Sequence, residues 1–202
     1  MGQLPRSEIV RHVIEYSVLA AHRHVFGVLA CYSIGSALGL GPAGAVFYRM
    51  AEYVSRFASK PAQASELAHG AFQDVAARAW AMVDWLPARL TALSFAIVGN
   101  FEEAIDGWRF QTQHFPNDND GVILAATSGA IMVRLGGEAL RLKSDVSPNQ
   151  GWETDPDIGD SDSTPGREPE VAHLRSVVGL VWRSVVVWML LLALLSFARL
   201  LG

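Results

Sequence analysis

The chain has 202 residues, half of them hydrophobic and only 18% charged, with a formal net charge of −4. Its mean hydropathy is positive, which argues against an ordinary charged soluble domain and for a membrane protein. No basic run of five or more residues occurs, so nucleic acid is not the expected partner. A single cysteine, Cys31, excludes an intramolecular disulfide, and its apolar setting points to packing rather than redox chemistry.

The N-terminus, MGQLPRSEIVRHVIEY, has neither an apolar core nor a small-residue cleavage site. Insertion is therefore expected from internal segments rather than from a signal peptide. Pro5 to Ala21 reads as an amphipathic helix, with Ser7 as a cap and Ile9, Val13 and Tyr16 at helical spacing. It suits an ordinary interfacial or packing helix. Val25 to Phe47 has no charged residue and is long enough to span a bilayer. Its glycines and the run Leu38-Gly39-Leu40-Gly41-Pro42 predict a break, as one kinked span or as two half-helices. Tyr48 and Arg49 then mark an interface. A helix through Tyr53 and Phe57 ends at Ser59-Lys60-Pro61, and an Ala-rich helical stretch from Ser65 to Met82 follows.

That stretch leads into Trp80 to Trp108, which is apolar enough to cross a membrane yet holds Asp84, Pro87 and Arg89. A charge in lipid costs roughly 2.5–3.5 kcal/mol on insertion scales, so such residues are used or hidden against protein. Pro87 has no amide hydrogen and frees the Val83 carbonyl. Either one helix kinks there, or a new helix starts with Pro87 in its first turn. The second geometry would set Arg89 beside open N–H groups as an anion site. Asp84 and Arg89, five residues apart, point about 140° apart on an ideal helix, so each is expected to meet another segment. The plain alternative is that both only knit the bundle together.

Glu102 and Asp106 share one helical face, a pair able to hold a divalent metal but more in keeping with a solvated helix end. Gln111 to Asp120 reads as a polar loop. Its Asp118 and Asp120 lie in a run that loosely resembles a calcium loop but lacks the distal Glu, so no metal site is assigned. Val122 to Leu135 is short for a full span and suits a buried or re-entrant helix ending near Arg134. Lys143 to Glu170 is acidic and Pro-rich, as a solvated, disordered loop would be. Val177 to Phe197 is the clearest transmembrane helix, interrupted only by Arg183. The six histidines form no helix-compatible metal pair, and no phosphate loop, nucleophile elbow or zinc spacing appears.

These elements predict an all-α, polytopic integral membrane bundle with broken or re-entrant helices. It divides into a membrane-embedded core over 1–140, a soluble acidic loop over 141–176 and a final transmembrane helix over 177–202.

Three blocks carry a resemblance to a known family. Asp84-Trp85-Leu86-Pro87-Ala88-Arg89-Leu90 resembles the D-x-x-P-A-R-L block of the CobD/CbiB membrane proteins, in the D-W-x-P-x-R-L form of their AmpE-like branch. Gly41-Pro42-Ala43-Gly44-Ala45 with Tyr48-Arg49, and Ala130 to Gly137, resemble two further elements in the same order. The resemblance covers roughly His22 to Gly137 and implies a multi-pass protein of the bacterial inner membrane. CobD/CbiB enzymes are adenosylcobinamide-phosphate synthases, which join an amino-alcohol phosphate to adenosylcobyric acid by ATP-dependent amide ligation. AmpE is instead linked to signalling around β-lactamase induction and cell-wall status.

The synthases' E-x-V-A-E-N and N-T-L-D-S-M elements are replaced here by HRHVFGVLACYSIGSA and by Met50-Ala51-Glu52-Tyr53-Val54. The family's N-terminal helices have no counterpart ahead of this region, so Met1 is expected to be a late start or a truncation. The reading is therefore a non-catalytic, AmpE-like binding or regulatory component. Its partners are the bilayer and a membrane or cell-wall-signalling protein, and its binding residues are Asp84, Pro87, Arg89 and Arg134. The alternative is a divergent synthase, with Arg89 and Arg134 on phosphate and ATP and magnesium as cofactors held by its acids.

Overall fold

The computed structural model describes residues 6–59, 66–112, 115, 118–136, 164 and 166–201. Among these the chain is helical and forms no strand, only an isolated bridge between Val133 and Arg167. The helices are α1 (Arg6–Ala21), α2 (Gly27–Ala37), α3 (Ala43–Ala58), α4 (Glu66–Val98), α5 (Phe101–Gln111), α6 (Asp118–Ile131) and α7 (Val171–Leu201). A π-helical turn, His22–Phe26, joins α1 to α2 without a loop, and the Gly27 N–H closes onto the His22 carbonyl. Among the described residues, three helices are long and apolar enough to cross a bilayer: Arg6–Ala37, Gly70–Val98 and Val171–Ala198. The protein is thus a polytopic membrane helical bundle with interrupted helices.

The uncharged stretch Val25 to Phe47 takes the second of its two expected forms, two half-helices, while several other expectations change. It breaks between Ala37 and Ala43, where Gly39 and Gly41 take positive φ angles of 79° and 57°. Its first half instead extends the N-terminal helix, so Pro5 to Ala21 is no separate interfacial element but the start of the first candidate span. Pro87 lies inside α4, which runs on for a further eleven residues to Val98. No helix begins there, and Arg89 has no open first-turn amides beside it. Asp118 and Asp120 are in the first turn of α6 rather than in a loop. The acidic stretch falls mostly outside the described residues; near its end Gly166, Arg167, Glu168 and Glu170 are exposed, but Thr164 is buried, 1% exposed. Thr164 N donates to Leu135 O over 3.0 Å, and its hydroxyl accepts from Leu135 N at 2.8 Å. The last helix starts earlier than Val177, at Val171.

The core joins α1, α2, α4, α5, α6 and α7 through Ile14, Val18, Ala30, Phe95, Ala104, Ile123 and Leu180. Phe26 and Phe95 meet edge to face at 5.4 Å, a favoured aromatic arrangement. Small residues set the closest approaches. A Cβ on Gly44 would lie 2.1 Å from the Cys31 carbonyl oxygen, and one on Gly129 would lie 2.1 Å from that of Glu103. The α2–α3 and α5–α6 pairs therefore pack backbone against backbone, the usual way to gain van der Waals contact where lipid supplies no hydrophobic drive. α7 is fastened by Trp188, whose indole Nε1–H donates to Ser94 Oγ over 2.8 Å. Arg183, in the same helix, is exposed. On α3 the outward residues Val46, Phe47, Met50, Tyr53, Val54 and Phe57 form one exposed apolar stripe, in keeping with a bilayer environment.

Candidate functional site

The π turn sends three consecutive polar side chains along different lines, with His22 buried, Arg23 half-buried and His24 exposed. A π turn holds one extra residue and is widely found at functional sites. Here His22 reaches Asp84 on α4, Arg23 reaches Asp120 on α6, and His24 reaches Arg49 on α3.

His22 and Asp84 form the centre of this arrangement, and both are almost fully buried. His22 Nε2 is 2.9 Å from Asp84 Oδ1. The Tyr48 hydroxyl donates to the same oxygen over 2.8 Å and lies 3.3 Å from Nε2. On the other side, His22 Nδ1 is 2.9 Å from Thr91 Oγ1. Thr91 gives its own hydrogen to Pro87 O at 2.9 Å, so it faces the ring with a lone pair and Nδ1 carries a proton. Tyr48 is fully buried, not interfacial as its place beside Arg49 suggested. Burial first, and then the Asp84 carboxylate beside it, push its hydroxyl well above the ordinary tyrosine range. It is a neutral donor throughout the physiological range. Trp80 stands against its ring at 5.1 Å.

Asp84, alone of this cluster, lines a cavity of about 800 Å³ between α3, α4 and the start of α6. Asp84, Trp80, Trp85 and Arg89 line it from α4, with the exposed Arg78. Asn119 and Asp120 line it from α6. Arg89 lies over the Trp85 ring at 4.1 Å and donates to Trp85 O and to Asn119 Oδ1. The Asn119 amide is itself fixed, its Nδ2 donating to Ala81 O over 2.9 Å. Polar groups thus gather on the carbonyls of the turns around Pro87, as needed where proline interrupts a buried helix ladder. Asp120 accepts two hydrogen bonds from Arg23 Nη2, at 2.9 and 3.1 Å.

The structure therefore brings Asp84, Arg89 and Asp120 around one cavity, with Pro87 buried in the helix between the first two. Arg134 is elsewhere: its backbone N–H donates to Arg167 O beyond the end of α6, and it does not line the cavity. Glu102 and Asp106 are exposed on α5. Asp106 lines a separate small cavity of about 140 Å³, so the expected acidic group is not gathered. The Asp118 side chain is outside those described. Among the described residues, no three His, Cys, Asp or Glu side chains converge as a metal-holding group. Sequence reasoning did not single out His22, Tyr48, Thr91 or Arg23. The partners of His22 lie 62 and 69 residues away, so no local spacing announces them. Only the Tyr48-Arg49 element of the resemblance pointed at one of the four.

The family model described as CobD/Cbib protein matches residues 1–167. The chain belongs to the CobD/Cbib family. The "Cobalamin biosynthesis protein CobD" of Stutzerimonas stutzeri (strain A1501) is 32% identical over 117 residues, 58% of this chain and 35% of that protein. The protein of the same name from Chromobacterium violaceum is 33% identical over 137 residues, 68% of this chain and 41% of that protein. The chain thus spans less than half the length of these CobD relatives. No solved structure matches it.

Proposed function

We propose that this chain is a binding component of the bacterial inner membrane, related to the cobalamin-biosynthesis proteins. On this reading it is AmpE-like in forming no bond itself, and its cavity holds an anionic group such as a phosphate ester. One observation carries the reading. Both carboxylates of the cavity already have cationic or donor partners, Asp84 with His22 and Tyr48, and Asp120 with Arg23, while Arg78 and Arg89 line the same space. Among the described lining residues, Arg78 and Arg89 bring two guanidiniums to a space whose two carboxylates are held from outside the lining by His22 and Arg23, an arrangement that favours negative charge. Arg89, held against Trp85 and Asn119, presents a fixed planar donor of the kind that recognises phosphate.

The alternative reading is a divergent adenosylcobinamide-phosphate synthase, favoured by the names of the CobD relatives. Its ATP and magnesium would need oxygen ligands, and the acids near the cavity are engaged by cations, so the described residues do not fit magnesium there. Two measurements test the pair of readings. Purified protein is expected to bind inorganic phosphate, and Arg89→Met to lose that binding while keeping its melting temperature. Expression in a strain without its own synthase is expected not to restore corrinoid synthesis. Rescue by the wild-type chain would overturn the non-catalytic reading, and unchanged phosphate binding in Arg89→Met would overturn the site.

A further inference from the structure

Four residues of α4 fall at the spacing i, i+4, i+7 and i+11: Arg78, Met82, Trp85 and Arg89. At 100° per residue they lie within about 60° of one another, on a stripe about 17 Å long. All four line the cavity. The stripe is also outer surface, because Met82 is 79% exposed, Trp85 is 52% exposed and Arg78 is exposed as well. Beyond α4 the described lining is entirely polar, from the end of α3 and the start of α6.

The whole stripe belongs to the candidate span Gly70–Val98. On a spanning helix, exposed Met and Trp side chains meet lipid, with Trp favoured where acyl chains give way to headgroups. The cavity therefore has one rim that faces the bilayer, and polar walls behind it. A water-soluble phosphate gains nothing from such a rim. A lipid meets both parts, with its head against the polar walls and its chains against Met82 and Trp85. The volume agrees, since about 800 Å³ is in the range of sites for whole small molecules rather than for single ions.

We propose that the cavity takes the phosphate head of a membrane lipid from the side, past the rim of Met82 and Trp85, while the lipid's chains stay in the bilayer against that rim. This rests on the cavity taking an anion, and it adds where the anion comes from. Arg89 lies over the Trp85 ring at 4.1 Å, so the guanidinium that meets the phosphate stands directly beside the surface that meets the chain. Head and chain are thus read by neighbouring residues of one helix.

The probe is phosphatidic acid with brominated chains, compared with phosphatidylcholine carrying the same chains. Each is mixed into nanodiscs of plain phosphatidylcholine that hold the full chain. Bromine quenches a neighbouring indole, and the difference between wild type and Trp85→Phe isolates Trp85 from the other tryptophans. Half-quenching of Trp85 is expected at a mole fraction about tenfold lower for phosphatidic acid, the effect of one added charge-assisted hydrogen bond. This excess is expected to vanish in Arg89→Met. On the wild-type chain it is expected to vanish when inorganic phosphate is added at a concentration that saturates the protein in detergent, a readout that stands even if the variant does not fold. Equal quenching by the two lipids, with inorganic phosphate still bound in detergent, overturns the lipid source alone. An excess that survives in folded Arg89→Met, or under saturating phosphate, overturns the cavity as the lipid's site. An excess lost in Arg89→Met, with no inorganic phosphate bound in detergent, supports lipid over dissolved phosphate as the source. No response to either probe overturns the anion cavity as well.

Discussion

Replacing Asp84 by Leu removes the acceptor of two buried donors and leaves His22 and the Tyr48 hydroxyl without it in a site nearly closed to water. Breaking a buried ion pair from one side costs about 3–5 kcal/mol, because the surviving partner keeps its desolvation penalty and loses its compensation. The Tyr48 hydroxyl adds about 1–3 kcal/mol where it finds no other acceptor. Converting all three together, as Asp84→Leu with His22→Leu and Tyr48→Phe, removes the orphaned groups as well as the pair, and such replacements range from neutral to stabilising. The single variant is therefore expected to lose about 3–5 kcal/mol. The triple variant is expected to recover most of it, less about 1–2 kcal/mol for imperfect repacking. Denaturant unfolding in mixed micelles, followed by helical circular dichroism, measures both. A single variant within about 1 kcal/mol of wild type would refute the buried pair, given the size of that penalty. A triple variant no better than the single would refute the assignment of the cost to orphaned polar groups. The triple variant also separates glue from site: folded but unable to bind anions, it shows that these residues are kept for binding.

Two further outcomes follow from the packing and from Tyr48. Gly44→Ala would drive a methyl against the Cys31 carbonyl at 2.1 Å. With backbone on both sides nothing can yield easily, so a loss of about 1–3 kcal/mol is expected for overpacking; a melting temperature equal to wild type would contradict the close α2–α3 contact. The Tyr48 hydroxyl is raised above its ordinary value of 10.0 in the folded chain, by burial and then by Asp84. The unfolded chain gives up that proton first, so the stability tied to it is whole below about pH 10 and is lost as the pH climbs beyond. Unfolding midpoints from about pH 9 to about pH 11.5 are expected to fall more steeply for wild type than for Tyr48→Phe, and parallel curves would refute the burial of this hydroxyl.

The parts of the fold legible in the sequence were those written in runs of apolar residues. The span from Val177 to Phe197 and the interruption at Leu38 to Pro42 both came from composition over one local stretch. The turn at Pro87 shows where local reading stops. Proline lacks a donor whether it starts a helix or sits within one, and what keeps α4 continuous is support from elsewhere in the fold, including Asn119 on Ala81. The candidate site divides in the same way. Asp84 and Arg89 stood out because charge in an apolar stretch is costly, and Asp120 because of its polar run. His22 and Arg23 did not stand out, since their directions depend on a π turn that no sequence periodicity reports. Glu102 and Asp106 share a helix face, but that face is exposed on α5.

The π turn at His22–Phe26 also bears on how the chain is compared with its relatives. An extra residue inside a continuous helix is an insertion with no loop to mark it. A relative lacking it would match this chain through α2, then match again through α1 one position out of step, and a gap placed in the nearest loop would misassign every residue between. Forcing the turn into ordinary α pitch with every residue kept would turn α1 by about 100° relative to α2. That would swing Ile14 and Val18 out of the core together with Glu15, whose carboxylate receives the Gly136 N–H over 2.8 Å. The small irregularity thus works as a phase setting for the whole first helix, and the histidine at its start is only its nearest beneficiary.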